Sequence, residues 1–414
     1  MIRVIQVREA SDFPVLHSRK MSEYEDAVRP IIDAVRDEGD VALIRYAREF
    51  DGIRDLPLRH TEDELASAAQ AMCAEVRGAV QVAIRNIREF AEAQLPQERF
   101  AEFSSGRKLG WIVRPLEAVG CYVPSGKYPL ISTLLMTATL AQVAGVPRIC
   151  VASPRASAEI LGSAHILGIR EVYRVGGAQA IAAMAFGTET IARVERVVGP
   201  GNAYVAAAKK LLAGEVGIDF VAGPTEILIL APDGDARVIA ADMLAQAEHD
   251  VSASAILITT SQRLAHEVSA ELERQLRCLP TAEIARQSID RSSFIALVPN
   301  METGVALSNM YAPEHLSLHD PSLLPKVTKA GTVFLGPNSP ESAGDYASGP
   351  SHVLPTGGWA RLRGGLSAAD FVKVIAIQEI SRSALEELAP TIKTLARAEG
   401  LEAHARAVEV RSGN

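Results

Sequence analysis

From about residue 109 the chain alternates short β-branched runs with runs of helical period, and this constrains the fold more than any other feature. Strands are expected at Trp111–Val113, Val119–Val123, Ile149–Ala152, Val172–Val175 and Val194–Val198. Helix-like runs lie between them at Ser132–Ala144, Ser157–Leu167 and Ala178–Phe186. A second series follows, with strands at Glu226–Leu230, Ser254–Thr259, Ser293–Val298, Glu314–Leu318 and Thr332–Leu335. Strands separated by helices pair in parallel, so the expectation is an α/β chain with two Rossmann-like domains. Residues 1–20 read as an N-terminal arm. Residues 21–120 with 232–366 read as the first domain, carrying a helical N-terminal region, and 121–231 as the second. After Ala368 the chain reads as helical, so 367–414 is expected to be a C-terminal helical tail.

In the helical N-terminal region, Ser22 with Glu25 and Thr61 with Glu64 match the capping-box spacing. Pro30 falls inside the first of these runs, where it costs about 3 kcal/mol. Residues Pro337 to Leu366 are rich in Gly, Ser and Pro and read as a long functional loop or linker.

At 414 residues there is room for two to four domains of about 100–200 residues each. The net charge of −8 argues against a phosphate-backbone partner, so no nucleic acid is expected. Arg3, Arg8 and Glu9 stand where a signal peptide needs an apolar run. The stretch Ile131–Val146 is too short and polar to span a bilayer. The expectation is a cytoplasmic protein with no membrane association. None of the four cysteines forms a C-x-x-C pair, so a metal site would need His, carboxylate and amide groups.

Four constellations draw on those groups. Gln246 and His249 lie three apart in the expected helix Val238–Asp250, one turn after Asp242. They are either half of a metal site or a polar stripe at a helix end. Glu314 and His315 follow Pro313 at the start of a strand. They are an acid–base pair or a polar turn. Asp345 and His352 lie in a flexible segment, as part of a closing loop or as an Asx-turn. Glu399 and His404 lie in an expected last helix, Arg397–Val408, which on its residues alone reads as exposed. His17, His60, His165, His266 and His319 read as structural. Three strand-ending turns are Gly-rich: Val123-Pro-Ser-Gly126, Val175-Gly-Gly-Ala-Gln179 and Gly199-Pro-Gly-Asn-Ala-Tyr204. Together they suggest a nucleotide crevice in which backbone N–H groups face phosphate.

Longer motifs then occur in a fixed order: Gly176-Gly-Ala-Gln-Ala-Ile-Ala, Gly199-Pro-Gly-Asn, Ala222-Gly-Pro-Thr-Glu, Gln246-Ala-Glu-His, Ala312-Pro-Glu-His-Leu, Pro340-Glu-Ser-Ala-Gly-Asp-Tyr-Ala-Ser-Gly and a terminal Ala-Glu-Gly-Leu-Glu-Ala-His404. Over nearly its whole length the chain closely resembles the histidinol dehydrogenase family. The resemblance implies a zinc site made by Gln246, His249, Asp345 and His404. It implies Glu314 and His315 as the acid–base pair, and Thr225, His352 and Glu399 as further substrate contacts. Tyr122, Gln179 and Asn202 match positions that touch NAD. The implied reaction oxidises L-histidinol through L-histidinal to L-histidine with two NAD. The implied assembly is a homodimer in which one subunit's C-terminal tail completes the other's site. Two departures stand out. Thr225 replaces an expected Ser but keeps the hydroxyl. Ser125-Gly-Lys-Tyr128 replaces a more Gly-rich turn. Related dehydrogenases act on other small polar alcohols, such as sulfonated diols, and Lys127 keeps that alternative open.

Overall fold

The structure, a computed structural model, describes residues 1–14, 21–54, 57–103, 106–125 and 129–412. The chain has a mixed α/β fold. It opens with β1 (Arg3–Gln6) and four helices, α1 (Ser22–Glu38), α2 (Asp40–Asp51), α3 (Glu62–Ala71) and α4 (Ala74–Gln94). Two strands follow, β2 (Arg99–Phe103) and β3 (Arg107–Pro115). The first alternating series is β4 (Ala118–Tyr122), α5 (Ile131–Val143), β5 (Arg148–Ala152), α6 (Ala158–Ile166), β6 (Glu171–Tyr173), α7 (Gly177–Phe186), β7 (Arg196–Val198), α8 (Ala203–Leu212) and β8 (Gly217–Ile218). The second is β9 (Glu226–Leu230), α9 (Ala236–Ala247), β10 (Ser254–Thr259), α10 (Gln262–Leu276), α11 (Ala282–Ser292), β11 (Phe294–Leu297), α12 (Met301–Tyr311), β12 (His315–Leu318), β13 (Thr332–Leu335) and α13 (Glu341–Tyr346). The chain closes with β14 (Val372–Ile380), α14 (Arg382–Ala398) and α15 (Glu402–Ser412).

The two series make two parallel sheets, ordered β6-β5-β4-β7-β8 and β1-β11-β10-β9-β12-β13. Both faces of each are covered, which explains why the strands read as unbroken apolar runs. In the larger sheet Ile227, Ile229, Leu257 and Ile295 pack on one face with Met243 and Leu272 from α9 and α10. The alternate residues Leu228, Leu230, Ile256 and Ile258 pack on the other with Val305 and Leu307 of α12. The period of two within each strand therefore sorts its side chains between two cores.

Several expectations change. The helical N-terminal region does not join residues 232–366. Helices α1 and α2 pack on α7, α1 also on α8, α3 on α6, and α4 on α5, so all four cover the smaller sheet. The expected boundary at 120/121 falls inside β4. The other, at 231/232, falls after β9, which already belongs to the larger sheet. The N-terminal arm is not free, because β1 pairs in parallel with β11. Trp111–Val113 is not in a parallel series. It lies in β3, the middle of a separate antiparallel sheet, β14-β3-β2. Nor is the chain helical throughout after Ala368, since Val372–Ile380 pairs with Pro115–Arg107 over nine residues. Its β-branched content suits a strand, but the partner lies over 250 residues away in sequence.

The Thr61–Glu64 capping box forms as expected, but α1 begins at Ser22 with Met21 as its uncapped N-cap residue. Pro30 stays inside α1 because Val28, Ile32 and Val35 bury a full stripe there. That burial offsets the lost backbone hydrogen bond.

The turn after β7 is held by a buried ion pair. Lys209 on α8 meets Asp219 with both side chains almost fully buried. The Lys209 ammonium also donates to Gly199 O at 2.9 Å, and Gly199 N donates to Asp219 Oδ2 at 2.8 Å. Removing one partner leaves an unanswered buried charge, so Lys209→Ala should destabilise the chain by about 3–5 kcal/mol. Denaturant unfolding of the variant checks this.

Candidate functional site

The larger sheet places the acid–base pair. Glu314 immediately precedes β12, and His315 is its first residue, opposite Ile227 of the neighbouring β9. The Glu314 carboxylate sits over the start of β9. It accepts from Thr225 Oγ1 at 2.6 Å and from Glu226 N at 2.8 Å. Burial pushes its carboxyl well above the ordinary Glu range, against the pull of those two hydrogen bonds.

His315 is also buried. Its Nδ1 lies 3.2 Å from Glu226 O, and a carbonyl can only accept, so we assign the ring proton to Nδ1. The other nitrogen, Nε2, is buried with no hydrogen-bond partner among the described residues, and lies 3.9 Å from Asp345 Oδ1. Burial pushes the imidazole down to about 4. At neutral pH the ring is therefore uncharged and offers a lone pair at Nε2, which is what a general base needs.

Asp345 and His249 complete a second cluster. His249 Nε2 and Asp345 Oδ2 are 3.7 Å apart. Burial alone would raise Asp345, but the His249 hydrogen bond and the nearby imidazoles of His315 and His352 outweigh it and hold the carboxyl low. His249 does not lie within the helix as expected. Helix α9 ends at Ala247, and His249 stands just past it, with its N–H to Gln246 O at 3.4 Å. Asp242, one turn before Gln246, has its carboxyl pushed up to about 6 by burial.

Glu341 is a residue that sequence reasoning missed. It is buried, and together with His249 and Asp345 it offers ligand atoms that all lie within 4.8 Å of one another. The signal was present as an i,i+4 pair of carboxylates, Glu341 and Asp345, on α13. It was hidden because this segment read as loop. Gln246 reaches the same place. Thr225 has one hydroxyl hydrogen, and it goes to Glu314. The Gln246 amide lies between Thr225 Oγ1, 2.9 Å away, and the Glu341 carboxyl. Burial and the Asp345 charge push the Glu341 carboxyl well above the ordinary Glu range.

His352 joins the site from the loop. Its Nδ1 lies 2.9 Å from Asp345 O and its Nε2 lies 3.2 Å from Thr133 Oγ1 on α5. Thr225, Gln246, His249, Glu314, His315, Asp345 and His352 thus come together in one chain. Glu399 and His404 do not. The expected single helix Arg397–Val408 is broken, because α14 ends at Ala398 and Gly400 turns the chain with φ +76°. Both residues are exposed, and the strong contacts of α14 and α15 are with each other.

Tyr122 ends β4, Gln179 lies in the first turn of α7 after β6, and Asn202 is the N-cap residue of α8 after β7. In the order β6-β5-β4-β7-β8 the chain reverses direction between β4 and β7, the place where parallel sheets open a crevice. Position therefore fits a dinucleotide, but the expected phosphate cradles are filled from within. Asp51 Oδ2 accepts from Gly176 N at 3.0 Å and from Gln179 Nε2 at 3.1 Å. Tyr122 Oη accepts from Gly177 N at 3.1 Å. Asn202 Oδ1 caps α8, accepting from Tyr204 N and Val205 N. Gly199 serves close packing, since a Cβ there would stand 2.1 Å from Tyr122 O. Of the third turn, Gly126, Lys127 and Tyr128 lie outside the described residues, as does His17.

The donor set of amide oxygen, imidazole and carboxylates fits a divalent metal of the zinc type. The carboxyls need such a charge, for the ion-pair partners of Glu314, Glu341 and Asp345 among the described residues are histidines.

A raised carboxyl stabilises the fold fully below its unfolded pKa and loses that contribution as pH rises toward its folded pKa. Glu314→Gln removes the group. The variant should gain stability relative to wild type as pH rises from 5 to 8, which urea unfolding at both values checks.

Comparison with known proteins gives one result. The family model described as histidinol dehydrogenase matches residues 16–412. Histidinol dehydrogenase of Thermus thermophilus is 47% identical over 395 residues, covering 94% of each chain. That of Rhizobium meliloti is 46% identical over 413 residues, covering 97% of this chain and 95% of the relative. The crystal structure of histidinol dehydrogenase from Elizabethkingia anophelis superposes with a TM-score of 0.94 at 37% identity, covering 99% of this chain and 98% of that one.

Proposed function

The chain belongs to the histidinol dehydrogenase family, a family of oxidoreductases, and from that premise we propose that it oxidises L-histidinol through L-histidinal to L-histidine. The observation that carries the proposal is the free Nε2 of His315, buried beside the carboxyls and imidazoles of a metal-type cluster. The balanced reaction consumes one water and two NAD⁺ and releases two NADH and three protons. When bound, NAD supplies the hydride acceptor, and zinc supplies a positive template for the substrate's amine and imidazole.

His315 Nε2 takes the hydroxyl proton in the first oxidation. Its Nδ1–H stays on Glu226 O, which holds the ring's tautomer and aim. Glu314 then takes a proton from the water that adds to the aldehyde. A carboxyl raised by burial is a stronger base once ionised, and the Thr225 hydroxyl and Glu226 N–H answer the charge it gains. His315 acts again on the hydrated aldehyde in the second oxidation. Gln246, His249 and Asp345 would hold zinc, with Glu341 behind Gln246. His352 and Thr225 would meet the substrate. Tyr122, Gln179 and Asn202 would border NAD through side chains more than through a backbone cradle.

The remaining ligand, His404, and the substrate contact Glu399 come from the partner subunit in this reading. Support comes from the tail itself, whose two helices pack mainly on each other. The tail and its antiparallel sheet also expose Phe100, Phe103, Val374, Ile375, Leu395 and Val410. A homodimer that exchanges tails covers such a surface and brings His404 of the partner subunit to the site. The place of action is the cytoplasm, consistent with the absence, among the described residues, of any helix long and apolar enough to cross a membrane.

The purified protein should form two NADH per L-histidinol, and no NADH with zinc and NAD present would sink the proposal. His315→Asn should lower kcat by about 10²–10⁴-fold, the usual scale of general-base catalysis, while substrate still binds. Mixed and reassociated, H315N and H404A should recover about a quarter of wild-type turnover, since half the dimers are mixed and each assembles one intact site. No recovery would mean that His404 serves its own chain.

A further inference from the structure

Glu226 is a buried acid to which the chemistry above gives no side-chain role. It opens β9, ahead of Ile-Leu-Ile-Leu, and is 5% exposed. Its main chain already serves the acid–base pair, with N–H to Glu314 Oε2 at 2.8 Å and C=O to His315 Nδ1 at 3.2 Å. Its carboxyl turns to two other segments. Oε2 accepts from Tyr311 Oη at 3.0 Å, at the end of the helix that leads into Glu314 and His315. Oε1 accepts from Gly357 N at 3.1 Å, in the loop that follows Asp345 and His352.

The loop is shaped for this contact. Gly357 and Gly358 have φ of +60° and +79°, a region that side chains disfavour. One residue earlier, Thr356 Oγ1 accepts from Gly223 N at 2.5 Å. The segment 222–226 thus grips the loop at two successive residues. Burial pushes the Glu226 carboxyl up to about 7, against the hydrogen bonds from Tyr311 and Gly357 that lower it. An acid in so costly a place, holding three site-forming segments at once, has a use beyond filling space.

We propose that Glu226 is a positioning residue that clasps the 351–358 loop, and with it His352, against the Glu314–His315 pair. This rests on the reaction proposed above. No charge is required. An amide at this position keeps an acceptor for Gly357 N–H, and its NH₂ can donate to Tyr311 Oη.

Two variants test it, read by turnover and by hydrogen exchange of the loop amides in the full-length protein. Glu226→Ala should lower kcat on L-histidinol and speed exchange at 353–358, each by about tenfold or more, the worth of one to two buried hydrogen bonds. Exchange in β10 should stay as in wild type. Glu226→Gln should restore both to within about threefold of wild type, less than one hydrogen bond's worth. Wild-type kcat and loop exchange in Glu226→Ala would overturn the proposal. So would a Glu226→Gln variant as slow as Glu226→Ala with its loop still protected, because that assigns the carboxyl to proton chemistry. Exchange needs no substrate. If wild type fails to oxidise L-histidinol, the reaction falls, while loop exchange still decides the role of Glu226.

Discussion

The site depends on burying carboxyls that no lysine or arginine among the described residues pairs with. Glu226, Glu314 and Glu341 are almost fully buried and Asp345 partly so, and the carboxyls of Glu314, Glu341 and Asp345 lie around one imidazole. Desolvation opposes each charge, and their mutual repulsion adds to it. Protons can relieve Glu226, Glu314 and Glu341, and their carboxyls are accordingly raised. Asp345 is instead held low, against its own burial, by the His249 hydrogen bond and the nearby His315 and His352 imidazoles. A bound cation would relieve the whole cluster. The metal binding and the acid–base chemistry proposed above would then share one electrostatic design.

The larger sheet makes that design rigid. β9 and β12 are adjacent parallel strands, and their N-terminal ends carry Thr225–Glu226 and Glu314–His315 side by side. Parallel pairing thereby sets the distances that matter for proton transfer. The loop from Asp345 to Gly358 closes over this edge from outside the sheet, and its hydrogen bond to Thr133 links it to the helix after β4. The Glu314–His315 pair and the crevice between β4 and β7 are in this way tied to one another, although they stand on different sheets.

Much of this was legible in the chain. Regular alternation of strands and helices exposed both parallel sheets, because each strand lies close in sequence to its helical cover. The motifs around Gln246, Glu314 and Asp345 exposed the site residues that one chain gathers. Three things stayed hidden for physical reasons. Pairing of β14 with β3 is a contact between distant segments, which local pattern does not reveal. Glu226 and Glu341 look like ordinary acids until burial is known. The Gly-rich turns resembled phosphate cradles, yet Asp51 and Asn202 already occupy the N–H groups that a phosphate would use. Only the fold shows that.

On the function proposed above, the buried acids receive a cation. The direct measurement is thermal unfolding of metal-stripped protein at pH 7, with and without Zn²⁺ in excess of its site. A ligand present at about 100 times its dissociation constant adds about 2.7 kcal/mol. The account therefore predicts a rise in Tm of several degrees with Zn²⁺, and loss of most of that rise in Asp345→Ala. An unchanged Tm, or an equal rise in Asp345→Ala, would contradict it.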